Sequence, residues 1–122
     1  MPITPVVVAD SPCLGPYSHA VKANGLIFVS GQLGMFEGKL LETVELQTEA
    51  CLKNLEHVLQ AAGSDLNHCV KCQVFLKSMN DFAKVNEVYA KFFTQNKPAR
   101  ICIEVARLPK DALVEIDAVA AE

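Results

Sequence analysis

Arg100, Cys102 and Glu104 alternate along the segment after Pro98, and Glu115 and Asp117 alternate near the C-terminus. An extended backbone sends every second side chain to the same side, so each set is expected to share one face of its strand. The apolar residues between them, Ile101, Ile103 and Val105 in the first segment and Val114, Ile116, Ala118 and Ala120 in the second, are expected to point the other way, into a core. The run Leu26–Leu33 adds Phe28, Ser30 and Gln32 opposite Ile27, Val29 and Leu33. One sheet face is thus expected to collect a guanidinium, carboxylates, a hydroxyl and a thiol. A planar guanidinium can hold a carboxylate through two parallel hydrogen bonds, and a nearby carboxylate can take or give a proton. The competing account is a wet sheet face laced with ion pairs, Arg100 with Glu104 or Asp117 and Glu115 with Arg100 or Arg107; such pairs contribute only about 0–1 kcal/mol each when exposed. Against it, Phe28, Phe75, Cys102 and Val119 fall on the same face, and burial by self-association would explain them, with the charged groups gathered in clefts between subunits.

Two helices must position these strands. From Val44 to Ala62 the apolar residues Val44, Cys51, Leu52, Leu55, Val58, Leu59 and Ala62 recur at spacings of three and four, with Thr43 as N-cap and Gly63 just past the end. Phe82, Val85, Tyr89, Phe92 and Phe93 form the stripe of a second helix, capped by Asn80 or Asp81 and ended at Lys97-Pro98. Strands are expected over Ile3–Val8, broken by Asp10-Ser11-Pro12, and over Ser18–Lys22 and Leu26–Leu33, joined by an Asn24-Gly25 hairpin turn. Glu37-Gly38-Lys39 marks a further turn, and strands follow around Val70–Leu76, Ala99–Ala106 and Leu113–Ala120. The order predicts an α+β fold with both helices on one face of a sheet.

The 122 residues, 51% hydrophobic, fit one domain spanning 1–122. A formal net charge of −3 argues against an electrostatic nucleic-acid binder. No apolar run is long enough for a membrane helix, and Met1–Pro5 lacks the basic start of a signal peptide, so a cytoplasmic protein is expected. The five cysteines, Cys13, Cys51, Cys69, Cys72 and Cys102, are odd in number and scattered, which favours reduced thiols over a disulfide framework. Cys69 and Cys72 have CxxC spacing, yet strand alternation sends positions three apart to opposite faces, which favours buried structural thiols. His68 beside Cys69 lacks a second ligand pair at suitable spacing, so no metal is expected.

With these segments in place, the whole chain resembles the Rid, or YjgF, family of reactive-intermediate deaminases. Gly15-Pro16-Tyr17-Ser18, Val29-Ser30-Gly31-Gln32, Asn80-Asp81-Phe82 with Val85-Asn86, Pro98-Ala99-Arg100, and Val105-Ala106-Arg107-Leu108-Pro109-Lys110 followed by Glu115-Ile116 occur in family order over nearly all 122 positions. The resemblance implies a homotrimer of chorismate-mutase-like α+β subunits, a mixed sheet with two helices on one face, whose sheets line a central barrel and whose active sites lie between subunits. It implies hydrolysis of 2-iminopropanoate and 2-iminobutanoate to 2-oxo acids and ammonia, with neither metal nor organic cofactor. By residue, it implies that Arg100 clamps the substrate carboxylate, Glu115 positions or deprotonates water, and Tyr17 orients substrate or water. Ser30 and the Gly31 backbone approach the ligand, the Cys102 carbonyl accepts from the imine nitrogen, and Asn86 and Phe82 wall the pocket.

Each role has a plainer counterpart: a core tyrosine at Tyr17, a structural bulge at Gly31, ordinary helix positions at Phe82 and Asn86, and thiol chemistry at Cys102, which has no general base beside it in sequence. The chain departs from the family pattern at Ile101, bulkier than usual and expected to point to the core, at His19, at Lys97 and in a short 35–41 loop. Two rival functions follow: a carboxylate-binding or regulatory trimer without turnover, which the retained Glu115 opposes, and RNA cleavage or translation inhibition, which the charge balance opposes.

Overall fold

The computed structural model describes residues 2–8 and 13–122. The expected break at Asp10-Ser11-Pro12 lies outside them. Strands β1 (Ile3–Val6), β2 (Ala20–Ala23) and β3 (Leu26–Leu33) form an antiparallel meander, and Asn24 and Gly25 take positive φ in the tight turn between the last two. A two-residue hairpin, β4 (Met35–Phe36) and β5 (Lys39–Leu40), closes around the turn foreseen at Glu37-Gly38. Helix α1 (Val44–Ala61) follows, then β6 (Cys69–Leu76), α2 (Phe82–Phe92), β7 (Ala99–Glu104) and β8 (Val114–Ala121). The six long strands make one mixed sheet in the order β1-β2-β3-β8-β6-β7, with β7 parallel to β6 and the other pairings antiparallel. The last strand of the chain therefore lies in the interior of the sheet and carries Glu115 and Asp117 there.

Both ends of α1 obey local rules. The Thr43 hydroxyl accepts from Leu46 N–H at 3.2 Å, and Gly63, at φ +83°, allows a Schellman close in which Ser64 N–H reaches the Leu59 carbonyl at 2.8 Å. Helix α2 differs from expectation at its start. Neither Asn80 nor Asp81 caps it with a side chain; Ser78 caps a preceding 3₁₀ turn, its hydroxyl accepting from Asn80 N–H at 3.2 Å. The core lies between the helices and the sheet, built from Leu52, Leu55, Leu59 and Val85 against Ile27, Val74, Leu76, Val114 and Ile116. Among the described residues no helix is long and apolar enough to cross a membrane.

Gln47, which the apolar pattern skips, is buried on α1 and pins the surrounding chain. Its amide nitrogen donates to the Leu41 carbonyl at 2.8 Å and its oxygen accepts from Leu113 N–H at 2.8 Å, so it ties the strand exit before α1 to the entry of β8. Gly34 packs directly on the Gln47 backbone, and a Cβ there would overlap the helix. Gly34→Ala is expected to lower stability by about 1–3 kcal/mol, the usual cost of forcing atoms into a packed contact. Urea denaturation checks this, and an unchanged midpoint would refute the close approach as a constraint.

Three expectations about facing fail. Alternation predicts Ile101 and Ile103 in the core, but they are 43% and 40% exposed on the open face, and Arg100 and Cys102 turn toward α2 instead. Glu104 follows them, its carboxylate accepting from Met79 N–H just ahead of α2. The reason is what α2 offers at the sheet edge: a stripe of Phe82, Asn86 and Tyr89 that receives a guanidinium better than an isoleucine. The open face therefore keeps Phe28, Ser30, Phe75, Glu115, Asp117 and Val119 as foreseen, but it has Ile101 and Ile103 in place of the Arg and the thiol, and the irregularity in β3 exchanges two more residues: Gln32 comes to lie opposite buried Ile116, and Leu33 opposite Glu115 beside Phe75.

The third concerns Cys69 and Cys72. The register of β6 against β8 shifts between Cys69 and Lys71, and this irregularity turns both thiols into the core while Val70 is exposed. Contact with Cys72 and burial push the Cys69 thiol far up, so it stays protonated. Both cysteines are free and buried.

Candidate functional site

Two groups of polar residues stand apart in the chain. The first surrounds a cavity of about 770 Å³ lined by Tyr17, Ser30, Gly31 and Glu115, with Leu14, Met35 and Phe36 among its apolar walls. The irregularity in β3 between Val29 and Gln32 builds its floor. There Ser30 donates its hydroxyl proton to the Ser18 carbonyl at 2.6 Å, and Ser30 N–H donates to the His19 carbonyl at 3.0 Å, which locks the segment leading from Tyr17 onto the bulge. Gly31 is glycine for a visible reason: a Cβ at this position would fall on the Glu115 carboxylate. The structural bulge offered by the sequence is present, and the room that a Cβ would need is taken by Glu115.

Glu115 reaches this cavity from the interior strand β8, opposite Phe75 of β6. Among the described residues it forms no ion pair, with Arg100, Arg107 or any other cation; Arg107 instead pairs with Asp111 at 2.8 Å. Burial, and then the charge of Asp117, hold the Glu115 carboxyl above its ordinary range. Tyr17 is no core residue. It is 47% exposed, and its hydroxyl oxygen accepts from Leu14 N–H at 3.2 Å.

The second group surrounds Arg100 at the other end of the sheet, on edge strand β7. Its Nη1 donates to the Asn86 side-chain oxygen at 2.7 Å, and its guanidinium lies 4.8 Å from the Tyr89 ring centroid and 5.7 Å from that of Phe82. No carboxylate lies within ion-pair distance of it among the described residues, so the surface ion pairs with Glu104 or Asp117 do not form. A half-buried cation held by a neutral amide and two aromatic rings keeps its charge available for an anion. Cys102 is half-buried and packs on the core; burial raises its thiol, the nearby Arg100 lowers it, and burial prevails, which disfavours a thiolate nucleophile.

One chain thus brings together Tyr17, Ser30, Gly31 and Glu115, and separately Arg100, Asn86, Phe82 and Cys102. Arg100 and Glu115 lie on opposite faces of the sheet. Asn86 and Phe82 contact the guanidinium, a more specific part than walling a pocket. Tyr89 stands out in the sequence only as part of an apolar stripe; its spacing of three from Asn86 and seven from Phe82 is the available signal.

Residues 8–122 match the endoribonuclease L-PSP family, the group also known as YjgF, RutC or Rid. The chain belongs to this family. A RutC family protein of Pyrococcus horikoshii is 48% identical over 110 residues, covering 88% of this chain and 87% of the relative. The chloroplastic Reactive Intermediate Deaminase A of Arabidopsis thaliana is also 48% identical over 110 residues, covering 88% of this chain and 59% of the relative. In structure, the chain is similar to E. coli TdcF with bound serine, with a TM-score of 0.92, 35% identity and 98% of each chain covered. The expected α+β fold with a mixed sheet and two helices is that of the family.

Proposed function

We propose that this family member hydrolyses 2-imino acids, 2-iminopropanoate and 2-iminobutanoate among them, to 2-oxo acids and ammonia. The observation that carries the reading is Arg100, a half-buried guanidinium held in a neutral cradle with no counter-ion among the described residues, which suits a carboxylate ligand. The similarity to a plant deaminase and to a structure that binds serine, a small amino acid, supports the same substrate class.

Because Arg100 and Glu115 open on different faces of one chain, the complete site is formed between copies in a homotrimer, where one chain supplies Arg100, Asn86 and Phe82 and its neighbour supplies Tyr17, Ser30, Gly31 and Glu115. The exposed Phe28, Val70, Ile101 and Ile103 give such an assembly an apolar face to bury. Arg100 holds the carboxylate and the Cys102 carbonyl accepts from the imine N–H. Glu115 takes a proton from water as its oxygen attacks C2. It returns that proton to nitrogen to give the carbinolamine, then takes the adduct's hydroxyl proton and passes it to the same nitrogen, so that the C–N bond breaks, ammonia leaves and the carbonyl forms. Free imines already hydrolyse in water, so positioning and charge suffice. The formal net charge of −3 makes an RNA substrate the poorer fit.

The test is the decay of 2-iminobutanoate generated in situ by a threonine dehydratase, together with the solution mass. Accelerated decay by a species three times the 13.3 kDa of one chain is expected. A trimer that binds 2-oxobutanoate but leaves the decay unchanged would instead be a carboxylate-binding protein without turnover. A finer check is Gly31→Ala. The added methyl's nearest neighbours are atoms of the flexible Glu115 side chain rather than backbone, so the fold is expected to survive while the carboxylate is displaced and turnover drops roughly tenfold or more, as misplacement of a reacting group predicts. Full activity in that variant would remove Glu115 from the reaction.

A further inference from the structure

Phe82, Asn86 and Tyr89 lie at i, i+4 and i+7 along α2, so they form one stripe of that helix, and the stripe faces Arg100 on β7. Asn86 takes one guanidinium N–H at 2.7 Å. The Tyr89 ring is the nearer of the two aromatic neighbours, 4.8 Å from the guanidinium carbon against 5.7 Å for Phe82. It is also the more firmly held. Tyr89 packs on the buried core and against the Phe93 ring at 4.6 Å, whereas Phe82 is 36% exposed. The Tyr89 hydroxyl, by contrast, is buried beside the Cys72 thiol, a weak partner at best, and among the described residues it makes no well-formed hydrogen bond. A buried hydroxyl with no strong partner adds nothing to stability, so the hydroxyl is not what holds this side chain in place.

We propose that Tyr89 is a positioning residue whose ring face, not its hydroxyl, fixes the plane of the Arg100 guanidinium so that its unused N–H donors meet a substrate carboxylate. This rests on the carboxylate-clamp reading of Arg100. A guanidinium has five N–H donors and binds a carboxylate best through two of them in parallel. An Arg side chain has several rotatable bonds, and a single hydrogen bond to Asn86 leaves the plane free to turn about that bond. A ring beneath it removes the turn without spending a donor or neutralising the charge. A carboxylate partner would also fix the plane, but it would cancel the charge that the ligand needs. The arrangement thus separates holding the cation from compensating it.

Binding of 2-oxobutanoate and of its uncharged amide, 2-oxobutanamide, tests this by NMR titration of the assembled protein. Wild type is expected to prefer the carboxylate. Tyr89→Phe keeps the ring and is expected to keep that preference, with a melting temperature equal or higher. Tyr89→Leu keeps bulk without the ring and is expected to weaken 2-oxobutanoate binding roughly tenfold while binding of the amide stays the same. Equal weakening of both ligands in Tyr89→Leu would mean a purely structural role and overturn the proposal, as would loss of preference in Tyr89→Phe or none in Tyr89→Leu. A wild type without preference for the carboxylate would overturn the clamp itself, and a clamp that stands with an indifferent Tyr89 would overturn only this inference. Should Tyr89→Leu not fold, the Arg100 Nε–H proton decides: stacking on the ring moves it upfield in wild type and in Tyr89→Phe, and an unshifted resonance refutes the contact.

Discussion

Arg100→Ala is expected to lower kcat/KM for 2-iminobutanoate roughly a hundredfold, corresponding to about 3 kcal/mol for removing one partner of a charge-assisted pair in a partly buried site. Binding of 2-oxobutanoate should fall by a similar factor. The fold should persist, because Arg100 is a half-buried edge-strand side chain whose sole hydrogen bond among the described residues is to Asn86. Arg100→Lys discriminates further. It retains the charge but neither the planar fork nor the flat face that lies over Tyr89 and Phe82, so it is expected to recover only part of the activity. Steady-state decay of the imine and titration with the oxo acid, run on the same preparations, check both variants. Wild-type kcat/KM in Arg100→Ala would end the clamp assignment.

Glu115→Gln should produce the opposite split: binding of 2-oxobutanoate nearly unchanged, and kcat down by about 10²-fold or more, toward the rate of the imine in water. The raised Glu115 carboxyl also sets a pH dependence. Its working form is the carboxylate, so wild-type activity is expected to fall as pH drops through a value above the ordinary glutamate range, and Glu115→Gln should lack that limb. Stability moves the other way. A carboxyl whose folded pKa lies above its unfolded one binds protons more readily when folded, so its contribution is present below the unfolded value and is lost as pH rises through the folded one. Asp117 is raised in the same sense, by burial, so the two together make the protein less stable above that window. Glu115→Gln is therefore expected to melt at or above the wild-type temperature at neutral pH while losing turnover. A variant that melts lower and keeps its kcat would show Glu115 to be structural.

Much of the architecture is legible without coordinates. The three-and-four spacing from Val44 to Leu59, Thr43 ahead of it and Gly63 behind it locate α1 to within a residue, because those signals act through the helix's own backbone. Asn24-Gly25 locates the β2–β3 turn for the same reason. Strand edges shift by one or two residues where pairing partners, rather than propensity, end a ladder: β7 stops at Glu104 although alternation runs on to Ala106. The segments quoted for the family resemblance each hold up as a piece of one fold, and the irregularity at Ser30-Gly31 lies within one of them.

Alternation along a strand states which side chains share a face, and it does so correctly for Arg100 with Cys102 and for Glu115 with Asp117. Which of the two faces meets the helices is a different quantity. It depends on what a distant helix presents, and for β7 the neighbour is a Phe82-Asn86-Tyr89 stripe that accepts a cation, so the apolar isoleucines are left outside. The same limit applies to Cys69 and Cys72, whose shared burial follows from a register shift against β8 that no local pattern encodes. Residue chemistry, helix limits and turn positions are properties of short stretches of backbone and are present in the sequence. The division of the polar residues into an Arg100 group and a Glu115 group on opposite faces arises only when strands far apart in the chain pair and pack, because facing is set by the partner and not by the strand.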